Sequence, residues 1–366
     1  MAYAIPTEQE RPVLFRWLKQ QSAYTTYAKI EPYFADWIAE CKRIQPLALD
    51  PLDGQPALND SEMRLLLTGY SAFVQALAKL RKGDRSAFKW MGYGTGQGYF
   101  CEAMRAVEAW QTSIARIAEG LPLADTEYWP GFEVRFKRLI RATCNGGAAW
   151  QARHLDVPAP LNDMRWFRGE IEPEVGSDFR ELRDSGLNFP PVPTPDKETL
   201  VKTGDTIPCY GIWEPVKVKF SGGLVGLFKK PEVPEDGQFE LDGCMNYLHA
   251  GSPAPTIGFE EDGYRMEGRP TVWRLLWEDT RYLDGTIPDE EREYLFARPE
   301  DRETVASDPV QTRVQSDLLV AHSGDLAEKA GVWALRDRLD VRVTLKQGER
   351  LPEYEGRPCD WVLVTH

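Results

Sequence analysis

The spacing of apolar residues changes at about residue 155, and this change limits the folds that the chain can adopt. Before it, apolar positions such as Val13, Leu14, Trp17 and Leu18 recur every three or four residues, which is the period of an amphipathic helix. From residue 211 onward, short apolar runs alternate with turns that contain Gly and Pro, which is typical of β-strands. The sequence therefore predicts an α+β chain, in which a helical N-terminal bundle is followed by a β-rich C-terminal region.

Four or five helices with short connections are predicted in the first part of the chain. Pro32 lies within the first helical stretch and is expected either to interrupt it or to open a second helix. Asn59 or Asp60 is suited to cap the next helix, which Gly83 should end. The helical stretches are predicted at residues 9–44, 60–83, 99–120 and 131–144.

The chain is predicted to divide into three consecutive parts. Residues 1–155 form a helical domain, residues 156–210 a Pro-rich linker or arm that includes the run FPPVPTP, and residues 211–366 a β-rich acidic domain. Strands are predicted in the third part because its apolar runs are short and alternate with polar residues. These runs are VKVKF at 216–220, TVWRLLW at 271–277, VRVTL at 341–345 and WVLV at 361–364.

A weak internal repeat links two distant segments. Residues 203–213 read TGDTIPCYGIW and residues 323–333 read SGDLAEKAGVW, so both contain Gly-Asp, five further residues, and Gly followed by Ile or Val and Trp. The glycines would permit tight turns and each Trp would fix its turn to a core. Paired recognition loops are the functional alternative. The repeat predicts turn and strand for residues 323–345, although part of that segment also has the spacing of an amphipathic helix.

The net charge of −13 is unevenly distributed along the chain. Residues 1–155 carry 19 basic and 16 acidic side chains, whereas residues 156–366 carry 25 basic and 41 acidic ones. An acidic surface disfavours nucleic acid and anionic membranes as partners and favours a basic protein. Solubility alone is the alternative explanation for the same charge.

Several features predict a cytoplasmic protein. The six cysteines are widely scattered and form no CxxC pair, as expected for reduced thiols. The first residues carry early charges and lack the apolar stretch of a signal peptide. No run of 18 apolar residues predicts a membrane span.

No arrangement of residues predicts catalysis, a metal site or a cofactor. The four histidines lack metal-ligand spacing, and the glycine-rich run at residues 92–98 matches neither GxGxxG nor the P-loop pattern. That run is expected to be a helix connection, with anion binding as the alternative. Cys144, and Cys244 with His249 nearby, are the only candidates for a nucleophile. The chain is therefore predicted not to be an enzyme.

Residues 271–293 form the strongest local candidate for a binding site. An aromatic strand there leads into a group of carboxylates with Arg and Tyr between them, which is the composition of a protein-binding hot spot. The alternative is that the tryptophans are core residues and the acids begin a solvated helix. The predicted partner-binding residues are Trp273, Trp277, Glu278, Asp279, Arg281, Tyr282, Asp284, Asp289, Glu290 and Glu291.

Three stretches resemble a known group of proteins. They are GIWEP at 211–215, GCMNYLHAGSPAPTI at 243–257 and WRLLWEDTRYLDGTIPDEEREYL at 273–295. Together with the helical first half, they are similar to bacterial polymorphic-toxin immunity proteins, in particular the immunity protein 71 and 72 families. The likeness is carried best by residues 200–300, and it brings no catalytic residues with it.

This resemblance implies a function. Members of these families are encoded beside toxins delivered by contact-dependent or type VI secretion, and they protect the producing cell by binding the cognate toxin. The expected partner is therefore a toxin with a basic surface that acts in the cytoplasm. Two alternatives stay open: an enzyme that reverses the modification made by a toxin, and an adaptor that loads a partner without blocking it.

Overall fold

The computed structural model describes the chain in twelve stretches. They comprise residues 4–48, 57–88, 99–119, 122–146, 163–171, 176–194, 198–221, 230–235, 237–261, 265–296, 320–335 and 338–365. Helices occupy residues 10–146 and antiparallel sheets lie in the C-terminal region, which confirms the α+β prediction. Seven α-helices occur in the described residues: α1 Glu10–Gln21, α2 Tyr24–Ile44, α3 Asp60–Leu80, α4 Tyr99–Ala118, α5 Trp129–Thr143, α6 Met164–Arg168 and α7 Ser177–Asp184.

The helical prediction holds at most boundaries and differs at Pro32. This proline neither ends nor begins a helix but lies inside α2, and the break falls earlier, at Ser22 and Ala23. A proline in a helix interior costs roughly 3 kcal/mol. Burial of one helix face offsets that cost, since Ile30, Phe34 and Trp37 have at most 1% of their surface exposed.

The start of α3 follows the capping prediction. The side chain of Asn59 accepts hydrogen bonds from the backbone amides of Ser61 at 2.9 Å and Glu62 at 3.0 Å. In return the Glu62 carboxylate accepts from the Asn59 amide at 3.1 Å. This reciprocal pair is a capping box, and Gly83, with φ of 78°, follows the end of the helix.

Thirteen strands occur in the described residues, and each paired strand is antiparallel to its partner. One sheet has the order β1-β9-β2-β5, with β6 also paired to β2, and a second has the order β10-β13-β11-β12. Two hairpins, β3-β4 and β7-β8, complete the set. The strands are β1 Leu200–Lys202, β2 Gly211–Lys217, β3 Phe220–Ser221, β4 Lys230–Pro231, β5 Glu240–Leu241, β6 Asn246–Leu248, β7 Ile257–Glu261, β8 Arg265–Arg269, β9 Val272–Glu278, β10 Val320–His322, β11 Gly331–Leu335, β12 Arg338–Leu345 and β13 Asp360–Thr365.

Two compact units divide the chain, each assembled from separated stretches. The first unit comprises residues 1–27, 79–98 and 143–297, and the second comprises residues 28–78, 99–142 and 298–366. The first unit contains the sheet of β1, β9, β2, β5 and β6, and the second contains the sheet of β10 to β13. The division into three consecutive domains stays a prediction.

The sheet of the first unit has an apolar cluster on each face. One cluster combines Val201, Ile207, Trp213, Leu248 and Trp273 from the sheet and its turns. The other joins the opposite face of the sheet to helices α1, α6 and α7. Its members include Val13, Leu14, Phe15, Met164, Phe167, Phe179, Leu182, Ile212 and Leu276.

A β-bulge changes the predicted orientation of one tryptophan. Strict alternation would place Trp273, Leu275 and Trp277 on the same face of β9. The register between β2 and β9 shifts at Ile212 and Trp213, so Leu275 stays with Trp273 while Trp277 packs on the other face. A Cβ at Gly211 would lie 2.1 Å from the carbonyl oxygen of Trp277, so only glycine fits opposite the bulge.

The segments of the internal repeat begin two β modules with the same backbone arrangement. The first module comprises residues 200–278 of the first unit, and the second comprises residues 320–365 of the second unit. Gly204 and Gly324 turn the chain with φ of 89° and 92°. The Gly204 amide donates to the Ala254 carbonyl at 2.8 Å, as the Gly324 amide donates to that of Leu351 at 2.7 Å.

The strand register repeats as well. Strand β1 pairs with β9 as β10 pairs with β13, and β2 pairs with β9 as β11 pairs with β13. The register shift recurs at the same place, immediately before Trp213 of β2 and Trp333 of β11. In each case the partner strand, β9 or β13, carries one extra residue there. Residues 323–335 and 338–345 thus form turn and strand, and no part of these two described segments is helical.

Candidate functional site

Strand β9 ends at Glu278 and leads directly into a buried carboxylate. The side chain of Asp279 accepts hydrogen bonds from Arg85 Nε and from the Tyr247 hydroxyl, both at 2.8 Å, and from Arg281 at 2.7 and 2.8 Å. The side chains of Asp279 and Arg85 are at most 1% exposed. Two guanidinium groups and one phenol therefore share a single carboxylate in the interior of the first unit.

Electrostatics keep this group ionised. Burial by itself would raise the pKa of Asp279, but the adjacent Arg281 and Arg85 guanidinium groups lower it to about 2. Charged hydrogen bonds satisfy the carboxylate on both oxygens, which compensates for its removal from water. The network therefore fixes the start of the segment that follows β9, residues 279–291, called here loop 279–291.

Arg281 connects loop 279–291 to the end of helix α1. Its guanidinium group donates to the backbone carbonyl of Lys19 at 2.9 Å and to the Ser22 hydroxyl at 2.8 Å. These are acceptors at a helix C-terminus, where the helix dipole favours a cation. One arginine thus satisfies orphan acceptors of α1 and the Asp279 carboxylate at the same time.

Tyr282 is held in an unusual backbone conformation. Its φ of 69° lies in the left-handed region, which a bulky side chain rarely adopts. The buried hydroxyl accepts a hydrogen bond from the Tyr24 amide at 2.7 Å and donates to the Glu291 carboxylate. Glu291 also accepts from the Thr25 hydroxyl at 2.8 Å. The start of α2 and the end of the loop therefore hold this tyrosine in place.

Beyond Tyr282 the loop turns outward and exposes two apolar side chains. Leu283 is 68% exposed and Ile287 is 37% exposed. Between them, the Asp284 carboxylate accepts hydrogen bonds from the Thr286 amide at 2.9 Å and the Thr286 hydroxyl at 2.8 Å. The Gly285 carbonyl accepts from Arg81 at 2.8 Å. The tip of the loop is consequently ordered by its own hydrogen bonds although it faces solvent.

The acidic residues of the segment separate into two groups. Glu278, Asp284 and Asp289 are exposed, and no described cation forms an ion pair with the first two. Glu290 is partly buried, and its carboxylate lies 2.5 Å from Lys19 Nζ and 3.5 Å from Arg16. Only the exposed group is available to a partner in this conformation.

The two predicted tryptophans are accounted for by internal contacts. Trp273 is fully buried and donates from Nε1 to the Pro255 carbonyl at 2.8 Å. Trp277 packs edge-on against Phe15, with the Lys19 ammonium 4.9 Å and the Arg281 guanidinium 5.0 Å from its ring centre. Asp279, Arg281, Tyr282 and Glu291 are likewise buried, so six of the ten predicted residues support the loop or the core from within. Partner binding by any of the ten stays a prediction.

Four residues of this site were not anticipated from sequence. Arg85 lies 194 positions before Asp279 in the chain, and no local pattern links the two. Tyr247 belongs to the quoted GCMNYLHAGSPAPTI stretch but showed no individual feature. Leu283 and Ile287 sit among the carboxylates, and their polar surroundings were the available indication that they are exposed.

The other residues that the sequence offered for catalysis or anion binding are Cys144, Cys244, His249 and the glycine-rich run. Burial raises the pKa of the Cys244 thiol far above its usual range, which disfavours a thiolate. The buried His249 ring lies against the rings of Phe88, Tyr210 and Tyr247, with centroids 5.3 to 5.9 Å apart. Cys144 is exposed in a short 3-10 helix, Cys144–Gly146. The glycine-rich run at 92–98 lies outside the described residues.

The described part of the chain offers neither a metal site nor a membrane-spanning helix. It contains no group of three or more His, Cys, Asp or Glu side chains placed to hold a metal ion. None of its helices combines the length and apolar character needed to cross a membrane.

Comparison with protein-family models assigns most of the chain. The Immunity protein 71 model matches residues 5–160, and the Immunity protein 72 model matches residues 191–295. The chain belongs to these immunity protein families. No curated protein and no solved structure matches it. The second match contains β1 to β9 and the whole of loop 279–291, whereas the second β module lies outside both matches.

Membership indicates a toxin-neutralising role with a cognate toxin as partner. Proteins of this kind are typically inhibitors that act without catalysis. The exposed loop tip belongs to the segment that the Immunity protein 72 model covers, whereas the buried network combines residues of both matches, since Arg85 lies in the segment that the Immunity protein 71 model covers. Loop 279–291 is one part of this family segment where apolar and acidic side chains reach the surface together, and it carries the most exposed of the large apolar side chains, Leu283.

Proposed function

We propose that this immunity protein neutralises its cognate toxin by forming a stoichiometric complex with it in the cytoplasm of the producing cell. The proposal rests above all on the two immunity-family matches, which cover residues 5–160 and 191–295. The toxin is taken to be an effector of interbacterial competition delivered by type VI secretion. It acts on a cytoplasmic target, and the immunity protein meets it there.

The charge distribution supports a basic toxin surface as the partner. Residues 156–366 carry 41 acidic against 25 basic side chains, and this stretch contains loop 279–291. Complementary charge accelerates association and orients the two proteins as they meet. The same charge disfavours nucleic acid and anionic membranes as alternative partners.

Stoichiometry is the decisive test. Purified toxin, expressed from the gene beside that of the immunity protein, should be titrated with the immunity protein while residual toxin activity is measured. Inhibition should be complete at a 1:1 molar ratio, with an isolable complex of the two chains. Protection at far lower ratios would contradict the proposal and favour an enzyme that reverses the toxin's modification.

A second outcome would also contradict neutralisation by binding. If the complex forms at 1:1 but the bound toxin keeps full activity, the chain is an adaptor and not an inhibitor. Toxin activity in the isolated complex separates these cases. Co-expression in cells supplies the matching biological measurement, since growth should recover only when the immunity protein is present.

A further inference from the structure

We propose that loop 279–291 is the element that docks on the toxin, with Leu283 and Ile287 as apolar anchors inside an acidic surround. The inference rests on the proposed function and names the surface that would carry it. The partner surface that fits this loop is an apolar pocket edged by Lys and Arg side chains. Three kinds of observation support this: exposure, internal support and charge.

Exposure distinguishes Leu283 from the other apolar residues. Its 68% is the largest value among the large apolar side chains of the described residues, and Leu326 follows with 53%. A single exposed leucine is common on protein surfaces. Here, however, Ile287 is exposed in the same turn, four residues away. Two exposed apolar side chains in one loop offer a partner apolar area to bury on binding.

The support beneath the tip is unusually well ordered. Arg85, Tyr247 and Arg281 hold the Asp279 carboxylate, while Tyr24 and Glu291 hold the Tyr282 hydroxyl. On the other side, Leu283 lies against the turn at Gly83, where an added Cβ would fall 2.8 Å from Leu283 Cδ2. A loop that is fixed before binding loses little conformational freedom when the complex forms.

Backbone geometry agrees with this interpretation. A tyrosine with φ of 69° is retained only where its surroundings determine the conformation, and such positions cluster at binding sites and switches. Burial of the Tyr282 ring and the two hydrogen bonds of its hydroxyl hold this conformation, while the next residue, Leu283, points outward. The strained residue sets the direction in which Leu283 projects.

Charge specifies the partner. The interior pairs neutralise Asp279, Glu290 and Glu291 through four cations of the first unit. Glu278 and Asp284 remain at the surface without an ion-pair partner among the described residues. An apolar tip flanked by unpaired carboxylates matches a cationic surface with an apolar depression and repels an acidic one.

Truncation of the anchors is the first part of the test. Leu283→Ala combined with Ile287→Ala should weaken binding to the purified toxin domain, inactivated in its active site, by about tenfold or more, chiefly through faster dissociation. Leu187→Ala is the matched control, because Leu187 is 51% exposed in the same unit but outside the loop. It should leave the affinity unchanged, and all variants should retain the wild-type melting temperature.

Charge reversal is the second part. Glu278→Lys should slow association and reduce its dependence on salt, with little effect on dissociation. Glu235→Lys, an exposed position of the same unit, is the control. Asp279 is unsuitable for this purpose because its reversal would place a cation between two buried guanidinium groups.

The outcomes separate this inference from the proposed function. If wild-type protein binds the toxin and the double alanine variant binds equally well, loop 279–291 is not the docking element, while neutralisation by binding stands. If the wild-type protein does not bind the toxin at all, both are wrong. If the double variant instead abolishes a dimer of this chain and leaves toxin affinity intact, the anchors serve self-association and the inference is overturned.

Discussion

The two β modules share a backbone framework but differ in what surrounds it. In each, a glycine with positive φ turns the chain, a bulge precedes a buried tryptophan, and three strands pair in the same order. The second module has an apolar cluster formed from its own residues, including Trp333, Leu351 and Trp361. The first module has the equivalent cluster and a second one, shared with helices α1, α6 and α7.

This difference separates structural from functional features. Features present in both modules, such as Trp213 and Trp333, are what the framework needs in order to fold. Features that adjoin the first module, above all the Asp279 network and loop 279–291, are not part of the shared framework. Asp279 and loop 279–291 belong to the segment that carries the Immunity protein 72 match, which is where toxin recognition is proposed.

The tryptophans that follow the two bulges provide the largest expected effect. Trp213→Ala and Trp333→Ala should each lower the free energy of unfolding by about 3 to 5 kcal/mol, because both side chains are fully buried. Denaturant unfolding followed by circular dichroism measures the loss. Equal losses would support the equivalence of the two modules.

The exposed Leu187→Ala variant serves as the control and should change stability by no more than about 0.5 kcal/mol. A loss below about 1 kcal/mol for either tryptophan would show that its module does not depend on the shared cluster. The two compact units also allow a finer measurement, since each variant should affect the unit that contains it.

The framework could be predicted from the sequence in large part. Helix limits followed from apolar spacing and capping residues, as at Asn59, and the strands around Trp273 and Trp361 followed from short alternating runs. The repeated Gly-Asp and Gly-Ile/Val-Trp patterns located both modules. Local rules suffice for these features because each is decided within a few neighbouring residues.

The support of the candidate site could not be predicted in the same way. Arg85 meets Asp279 across 194 positions of sequence, and such a contact has no local pattern. Alternation also failed at Trp277, because a bulge inserts one residue and reverses the face of everything beyond it. The carboxylates of residues 278–291 were visible as a group, but which of them are buried depends on distant partners.

A polar pair in the first module replaces an apolar pair in the second. Glu214 lies opposite Arg274 in the register of β2 and β9, whereas Ala334 lies opposite Val362 in β11 and β13. The Glu214 carboxylate is 2% exposed and lies 3.6 Å from Arg274 and 3.0 Å from Arg11. Glu214→Ala alone should cost about 3 kcal/mol because it breaks this buried ion pair, and so should Arg274→Val, which also removes the hydrogen bond from Arg274 Nε to the Glu198 carboxylate at 2.8 Å.

The double variant sharpens this comparison. Glu214→Ala with Arg274→Val recreates the apolar pair of the second module, so its cost should fall short of the sum of the single costs by about 1 kcal/mol or more. Chemical denaturation of the four proteins closes the cycle. Strict additivity would mean that Glu214 and Arg274 do not interact. Their shared register position with Ala334 and Val362 would then make no difference to the free energy of unfolding.

The turn glycines should give a smaller and matched effect. Gly204→Ala and Gly324→Ala are each expected to cost about 1 to 2 kcal/mol, since an L-residue is strained at the observed positive φ. Neither position has a heavy atom within 4 Å of an added Cβ, so the cost comes from the backbone alone. Asparagine, which tolerates this conformation better, should recover part of the loss in both modules, and an asparagine as costly as alanine would contradict the explanation.

The smallest expected effect concerns the helical layer that only the first module's cluster includes. Asp178 of α7 accepts hydrogen bonds from Trp17 Nε1 and Gln21 Nε2, both at 2.8 Å. Burial raises the pKa of Asp178 above the ordinary 3.8, and these hydrogen bonds offset only part of that rise. The folded state therefore binds a proton more readily than the unfolded state does. As the pH falls from neutrality toward 4, this carboxyl should add stability, whereas Asp279, with its pKa of about 2, should remove stability only between about pH 4 and pH 2.

Asp178→Asn isolates this contribution, because both donors bind the same Asp178 oxygen, and an amide oxygen in its place removes the charge and still accepts from both. The variant should be more stable than wild type at neutral pH and should lose the gain that wild type shows on mild acidification. Melting temperatures measured from pH 4 to pH 8 test both statements, and parallel curves for the two proteins would contradict them. Since the cluster of the second module includes no helical residue of the described chain, Trp333→Ala combined with Asp178→Asn should show additive losses and gains. Additivity would show that the titrating carboxyl of Asp178 stabilises only the surroundings of the first module. The helical layer would then distinguish the two modules in energy as well as in structure.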